Sequence, residues 1–187
     1  MDIIKESKNY ALSEIDRYGS PTLVHFGISE QKAIALAKKL GADEMIVRIG
    51  VTLMDLKLGQ ALKENRLQDH VSMSIDASEI FLKKFNLDKK ARNKIINCIE
   101  AHHKQVAFNC LEAEICANAD CYRFIHPRGF FAYLTLLGKR YESFDECLNQ
   151  AEAKLDEKNS ILSLDICKKE LNNYYTTLKD FITDSKK

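Results

Sequence analysis

The sequence predicts an all-α fold, a single domain built as a bundle of about eight or nine helices. Three observations carry that reading. Two prolines and seven glycines in 187 residues leave little punctuation for hairpins. Strand-like alternation is scarce, whereas apolar residues recur at helical spacing along most of the chain. A chain of this length suffices for one domain with a sizeable core and is short for two. The organisation expected is an N-terminal helix over residues 1–20, a core over 21–126, and C-terminal helices over 127–187 that pack on that core.

The first helix is expected over residues 2–18, ended by "YGSP" at 18–21. A second begins between Thr22 and Ser29 and is closed by Gly41. Its Ala33, Ala37 and Leu40 form one stripe, and tracing that stripe back by fours reaches Ser29 and His25, which places His25 at the inward-facing start of the helix. The segment 42–65, "ADEMIVRIGVTLMDLKLGQALKEN", has only Arg48, Asp55 and Lys57 as charges between Met45 and Leu58. Apolar residues on all sides predict one buried helix. Asp55 inside it requires a cation, hydrogen-bond donors or a metal. Arg48, seven residues earlier on nearly the same face, offers an internal ion pair.

"LQDHVSMSIDASEIFLKKFNL" opens with Asp69 as the expected cap and His70 in the first turn. "DKKARNKIINCIEAHH" follows, capped by Asp88, and delivers His102 and His103 at its C-terminal end, where capping alone would account for one of the two. In "LEAEICANADCYRFI", residues 111–125, Ala113, Ala117, Asp120 and Phe124 share a face. "HPRG" at 126–129 breaks the chain, "FFAYLTLLGKR" resumes a short helix, and two longer amphipathic helices over roughly 143–158 and 163–183 complete the bundle.

Composition narrows the function classes. With 28 basic and 27 acidic side chains there is no net electrostatic pull toward nucleic acid or an anionic membrane. No stretch approaches the ~20 apolar residues of a membrane span. The N-terminus is acidic and amphipathic, unlike a signal peptide. Six cysteines without a C-x-x-C pair read as reduced, largely buried thiols of a cytoplasmic protein.

Four segments present metal-ligand side chains: His25, Asp55, His70 with His102 or His103, and Asp120. Imidazole plus carboxylate is the donor mix for iron, manganese, zinc or nickel. Taken singly, each has a simpler explanation, because a histidine at a helix end caps it and an aspartate in a helix pairs with a nearby Lys or Arg.

The order of these residues resembles the HD-domain superfamily. His25, then "LMD" with Asp55, "DH" with His70, "IEAHH", and "NADCYRF" with Asp120 follow that family's succession, and the resemblance covers about residues 21–126. It implies an HD-like helical bundle, with residues 127–187 as an added packing layer. It also implies a cofactor, a divalent metal (Mn, Fe, Ni, Zn or Mg), with His25, Asp55, His70, His102 and Asp120 as ligands. The departure is at the His-Asp pair itself, which here is Met54-Asp55. A thioether is a soft, neutral ligand and a poor substitute for imidazole on a hard cation. In two-metal members a bridging aspartate and two later histidines hold a second ion, and Asp55, His70 and His102 match those positions.

The activity implied is phosphohydrolysis of a small phosphate ester or nucleotide by a metal-activated water. Asp55 would act at the catalytic centre, with His103 and Arg123 contacting substrate; Arg123 follows Asp120 by three and suits bidentate oxyanion contact. The rival is a non-catalytic HD-like scaffold with a degenerate metal site that binds a nucleotide or a protein partner. A small phosphorylated substrate, no nucleic acid and no membrane are the expected partners. The apolar residues of "NNYYTTLKDFI" leave a homo-oligomer open.

Overall fold

The computed structural model describes residues 2–187, and every regular element among them is helical. Helix α1 (Ile3–Tyr18) starts at Asp2, whose carboxylate accepts from the backbone N–H groups of Ile4 and Lys5, and stops at Gly19 in the left-handed region. Helix α2 (Leu23–Leu40) is capped by Thr22, whose hydroxyl accepts from the N–H of His25, and ends at left-handed Gly41. These local signals fix where His25 begins its helix, and the apolar stripe behind it turns the ring inward.

The segment expected as one helix over 42–65 is two. Helix α3 (Glu44–Leu53) and the short α4 (Leu58–Lys63) are separated by a turn over 54–57. In that turn the N–H of Leu56 donates to the carbonyl of Leu53, and that of Leu58 to Asp55. The N–H of Lys57 leaves the helical ladder altogether and donates to Oγ of Ser74, 3.0 Å away on another helix. Ser74 is fully buried and supplies the acceptor that the interrupted ladder withholds. Asp55 thus sits on a tightened turn rather than inside a continuous helix. Arg48 pairs with Glu44 on its own helix and not with Asp55. Lys57 points the other way, to Glu14 of α1 at 2.7 Å.

Helix α5 (His70–Leu82) follows a 3-10 turn over Leu67–Asp69. Asp69 precedes it as expected, but its carboxylate takes Arg66 and caps no backbone N–H. Helix α6 (Lys89–Glu100), capped by Asp88, runs into a second 3-10 turn, Ala101–His103. Helix α7 (Leu111–Ile125) is the axis of the bundle, buried from Glu112 to Ile125 except at Glu114, and packed against α2, α3 and α6 on one side. Helices α8 (Pro127–Leu137), α9 (Phe144–Ile161) and α10 (Asp165–Ser185) close its other side. Pro127 opens α8, where its missing N–H costs nothing.

One buried side chain fastens that outer layer. Asn118 of α7, with no exposed surface, donates through Nδ2 to the Ser163 hydroxyl at 2.8 Å. Its Oδ1 accepts from the N–H groups of Ser163 and Leu164, both at 3.1 Å. The link between α9 and α10 is thereby held to the central helix. Among the described residues no helix is long and apolar enough to cross a membrane.

Candidate metal centre

Five elements converge on one cavity of about 150 Å³: the start of α2, the 54–57 turn, the start of α5, the turn after α6, and α7, with α8 and α9 as its outer wall. His25, Asp55, His70, His103, Asp120 and Arg123 all line it, and the ring of His102 lies against those of His70 and His103. The residues singled out in the sequence therefore share one interior site, but they divide into two groups with different partners.

The first group is imidazole-rich. One ring nitrogen from each of His70, His102 and His103 lies within 4.8 Å of the others. Nδ1 of His70 is 2.7 Å from the carbonyl of Leu67, and Nδ1 of His102 is 2.7 Å from the carbonyl of Ile99. Since a carbonyl only accepts, both Nδ1 atoms carry their protons, and the Nε2 lone pair of each ring is the one a metal would take. Anchoring of one ring nitrogen on the backbone is how metal-binding histidines are commonly oriented. His102 also satisfies a carbonyl at the end of its helix, so the capping role is real for this residue and coexists with an aimed Nε2.

Those lone pairs converge on a carboxylate. Nε2 of His102 is 3.5 Å, and Nε2 of His70 3.8 Å, from Oδ1 of Asp55. His102 Nε2 is buried and has no hydrogen-bond partner, a condition that calls for an explanation such as an ion. Donors about 2.1 Å from a shared cation stand roughly 3.0–3.4 Å apart, near the spacing here. Two imidazoles and a carboxylate oxygen form a donor set that fits a divalent metal, and His103, its Nε2 3.2 Å from that of His70, borders it. Burial lowers the pKa of His70, and pushes that of His103 to about 4, so neither ring competes for the position as a cation at neutral pH.

The second group is already neutralised by the chain itself. Nη1 of Arg123 donates to Oδ2 of Asp55 and, at 2.7 Å, to Oδ1 of Asp120. Nζ of Lys158 sits 2.6 Å from the other oxygen of Asp120. Burial would raise both carboxyls, but Arg123 beside Asp55, and Lys158 with Arg123 beside Asp120, hold them below the usual range. Burial likewise opposes the charge on Lys158, and Asp120 together with Cys121 and Glu157 more than compensates, raising it. His25 directs Nε2 to the carbonyl of Gly129 at 3.0 Å, with its ring against Phe124. Met54 is 1% exposed and packs in the apolar core. Around Asp120 the donors are thus engaged with protein cations, and a metal does not fit beside them as it fits beside His102.

Lys158 was not singled out by the sequence reading, although a signal exists. Leu148, Ala151 and Leu155 form the buried stripe of α9, and Lys158 continues their 3- and 4-residue spacing into the core. A lysine in the register of an apolar stripe marks a buried charge with a partner. His103 also has company outside the expected region: Nδ1 is 3.2 Å from Oε1 of Glu157 and 3.2 Å from Nζ of Lys158.

No protein-family model matches the chain. Among curated proteins, it is 29% identical over 135 residues to a Ribonuclease Y of Finegoldia magna, an alignment covering 72% of this chain and 22% of that protein. It is 28% identical over 135 residues to the Ribonuclease Y of Fusobacterium nucleatum subsp. nucleatum, covering 72% of this chain and 25% of the relative. The chain therefore spans about a quarter of the length of these relatives. Among solved structures, the crystal structure of a predicted HD superfamily hydrolase from an uncultured Thermotogales bacterium superposes with a TM-score of 0.66, at 15% identity, over 96% of this chain and 89% of that one. The chain thus shares its all-helical fold with that solved structure.

Proposed function

We propose that the chain is a metal-dependent phosphohydrolase acting on a small phosphate ester or nucleotide. The observation that carries this reading is the unpartnered Nε2 of His102, aimed with that of His70 at one oxygen of Asp55. A divalent cation among the three satisfies all of them at once. Asp55, His70 and His102 would hold it, with His103 at its edge.

A bound divalent ion supplies a water of lowered pKa and polarises a phosphoryl oxygen. The chain's own residues do the rest. Arg140, Lys154 and Lys158 line the cavity and draw an anion into it. Lys154 and Lys158 are shared with Glu157, whereas Arg140 forms no ion pair among the described residues and is free to take a phosphate oxygen. Phe124 and Tyr133, edge to face at 5.1 Å, give the cavity an apolar side for the organic part of the substrate. The structural neighbour, a predicted hydrolase, supports the reaction class. The name Ribonuclease Y adds a short RNA to the substrates worth assaying.

The test is to purify the protein without chelator, count bound metal by elemental analysis, and assay p-nitrophenyl phosphate, nucleotides and a short RNA, beside His102→Ala. A bound ion and turnover, both lost in the variant, are expected. A protein that takes up neither Mn²⁺, Fe²⁺, Ni²⁺, Zn²⁺ nor Mg²⁺ and hydrolyses none of these overturns the reading.

One observation favours a second reading, a non-catalytic scaffold that binds a nucleotide or a protein partner. The Asp55–Arg123–Asp120–Lys158 network is complete without any ligand. Under that reading calorimetry would record nucleotide binding with no metal requirement and no turnover.

A further inference from the structure

Asp55 and Asp120 are 65 residues apart in the sequence and meet in the interior, where two uncompensated carboxylates would be untenable. Four oxygens face this meeting point. Oδ2 of Asp55 and Oδ1 of Asp120 take the same guanidinium nitrogen of Arg123, and Oδ2 of Asp120 takes the ammonium of Lys158. Oδ1 of Asp55 is left to face His102 and His70. Arg123 and Lys158 are themselves buried, at 4% and 1% exposure, so two anions and two cations close on each other away from water. A divalent ion placed between the aspartates would stand against both cations, and Met54, the neighbour of Asp55, brings no charge or hard donor to offset that.

We propose that Arg123 and Lys158 occupy the cation position between Asp55 and Asp120 as permanent charges, so that the centre takes one divalent ion instead of two. Arg123 is then a positioning residue, which by holding Oδ2 turns Oδ1 of Asp55 toward the histidines. The single ion rests on the function proposed above; the exclusion of a second rests on the Arg123–Lys158 network alone.

The experiment counts ions. Chelator-stripped protein is dialysed against excess Mn²⁺, bound metal is measured by elemental analysis, and paramagnetic resonance reports whether the ions are coupled. The native protein is expected to hold one uncoupled ion per chain. Arg123→Met with Lys158→Met, which vacates the position, should hold one more, as should Arg123→Gln, which keeps an amide donor but no charge. Arg123→Lys, which keeps the charge, should hold the native number. Helical circular dichroism with and without Mn²⁺ accompanies each count; if the double variant does not fold, Arg123→Gln decides. A native protein with two coupled ions overturns the inference, as does a folded charge-free variant with the native count. None in the native protein and one in the variant would instead overturn the proposed function and leave this inference standing.

Discussion

Nε2 of His102 faces Oδ1 of Asp55 across 3.5 Å, with no hydrogen-bond partner of its own. A ligand that binds only the folded state stabilises it by mass action. At a hundredfold excess over its Kd, Mn²⁺ is therefore expected to add ~2.7 kcal/mol of unfolding free energy. In thermal melts the upward shift should vanish in His102→Ala, and an equal shift in both proteins would remove His102 from the site.

Removal of one partner from a buried ion pair leaves the other charge stranded. Asp120→Asn deprives Lys158 of its carboxylate at 2.6 Å and Arg123 of one of two. A loss of about 3–5 kcal/mol in urea unfolding is expected. Adding Lys158→Met to Asp120→Asn should recover part of it, because the stranded ammonium is gone; strictly additive losses would mean that the two side chains do not interact.

Acid should act in two stages. His25, 2% exposed, has its pKa lowered from 6.5 to about 4, chiefly by burial. Its folded value lies below the unfolded one, so its contribution is complete above pH 6.5 and is lost as pH falls from 6.5 toward 4. That loss is roughly 2–3 kcal/mol. Asp55 and Asp120, held below the ordinary carboxylate range, contribute fully above about pH 4 and are lost only below it. Urea unfolding across pH 7 to 4.5 should show the first stage, to which His103, also lowered to about 4 by burial, adds its own share, and His25→Gln should remove part of it.

Gly129 stands where the chain turns from α7 into α8. A Cβ there would lie 2.4 Å from the carbonyl oxygen of Arg123, a backbone atom that cannot swing aside. Gly129→Ala should cost about 1–3 kcal/mol by overpacking. It should also loosen the bond from His25 to the Gly129 carbonyl at 3.0 Å, which favours the protonated ring, so NMR titration should show a further fall in the His25 pKa.

The sequence discloses what is local. The cap at Asp88 and the closing glycine at 41 set helix ends by contacts three and four residues long. Asp55, His70 and His102 could be named as neighbours because their order along the chain follows a family pattern. What escaped depends on contacts between elements. The break at 54–57 requires Ser74, seventeen residues on, to accept the N–H of Lys57. Arg123 reads as a substrate contact when only its spacing from Asp120 is visible. Its engagement with Asp55 depends on how α7 lies against the turn after α3.

The Asn118 amide has a bearing on inheritance. It sits two residues before Asp120 on the same helix, yet it clasps the joint from which α9 departs with Lys154 and Lys158. Grafting the last two helices of another such protein onto this one would transplant the cavity's outer wall faithfully only if the incoming joint at 163 and 164 still offered that amide two backbone N–H groups and a hydroxyl.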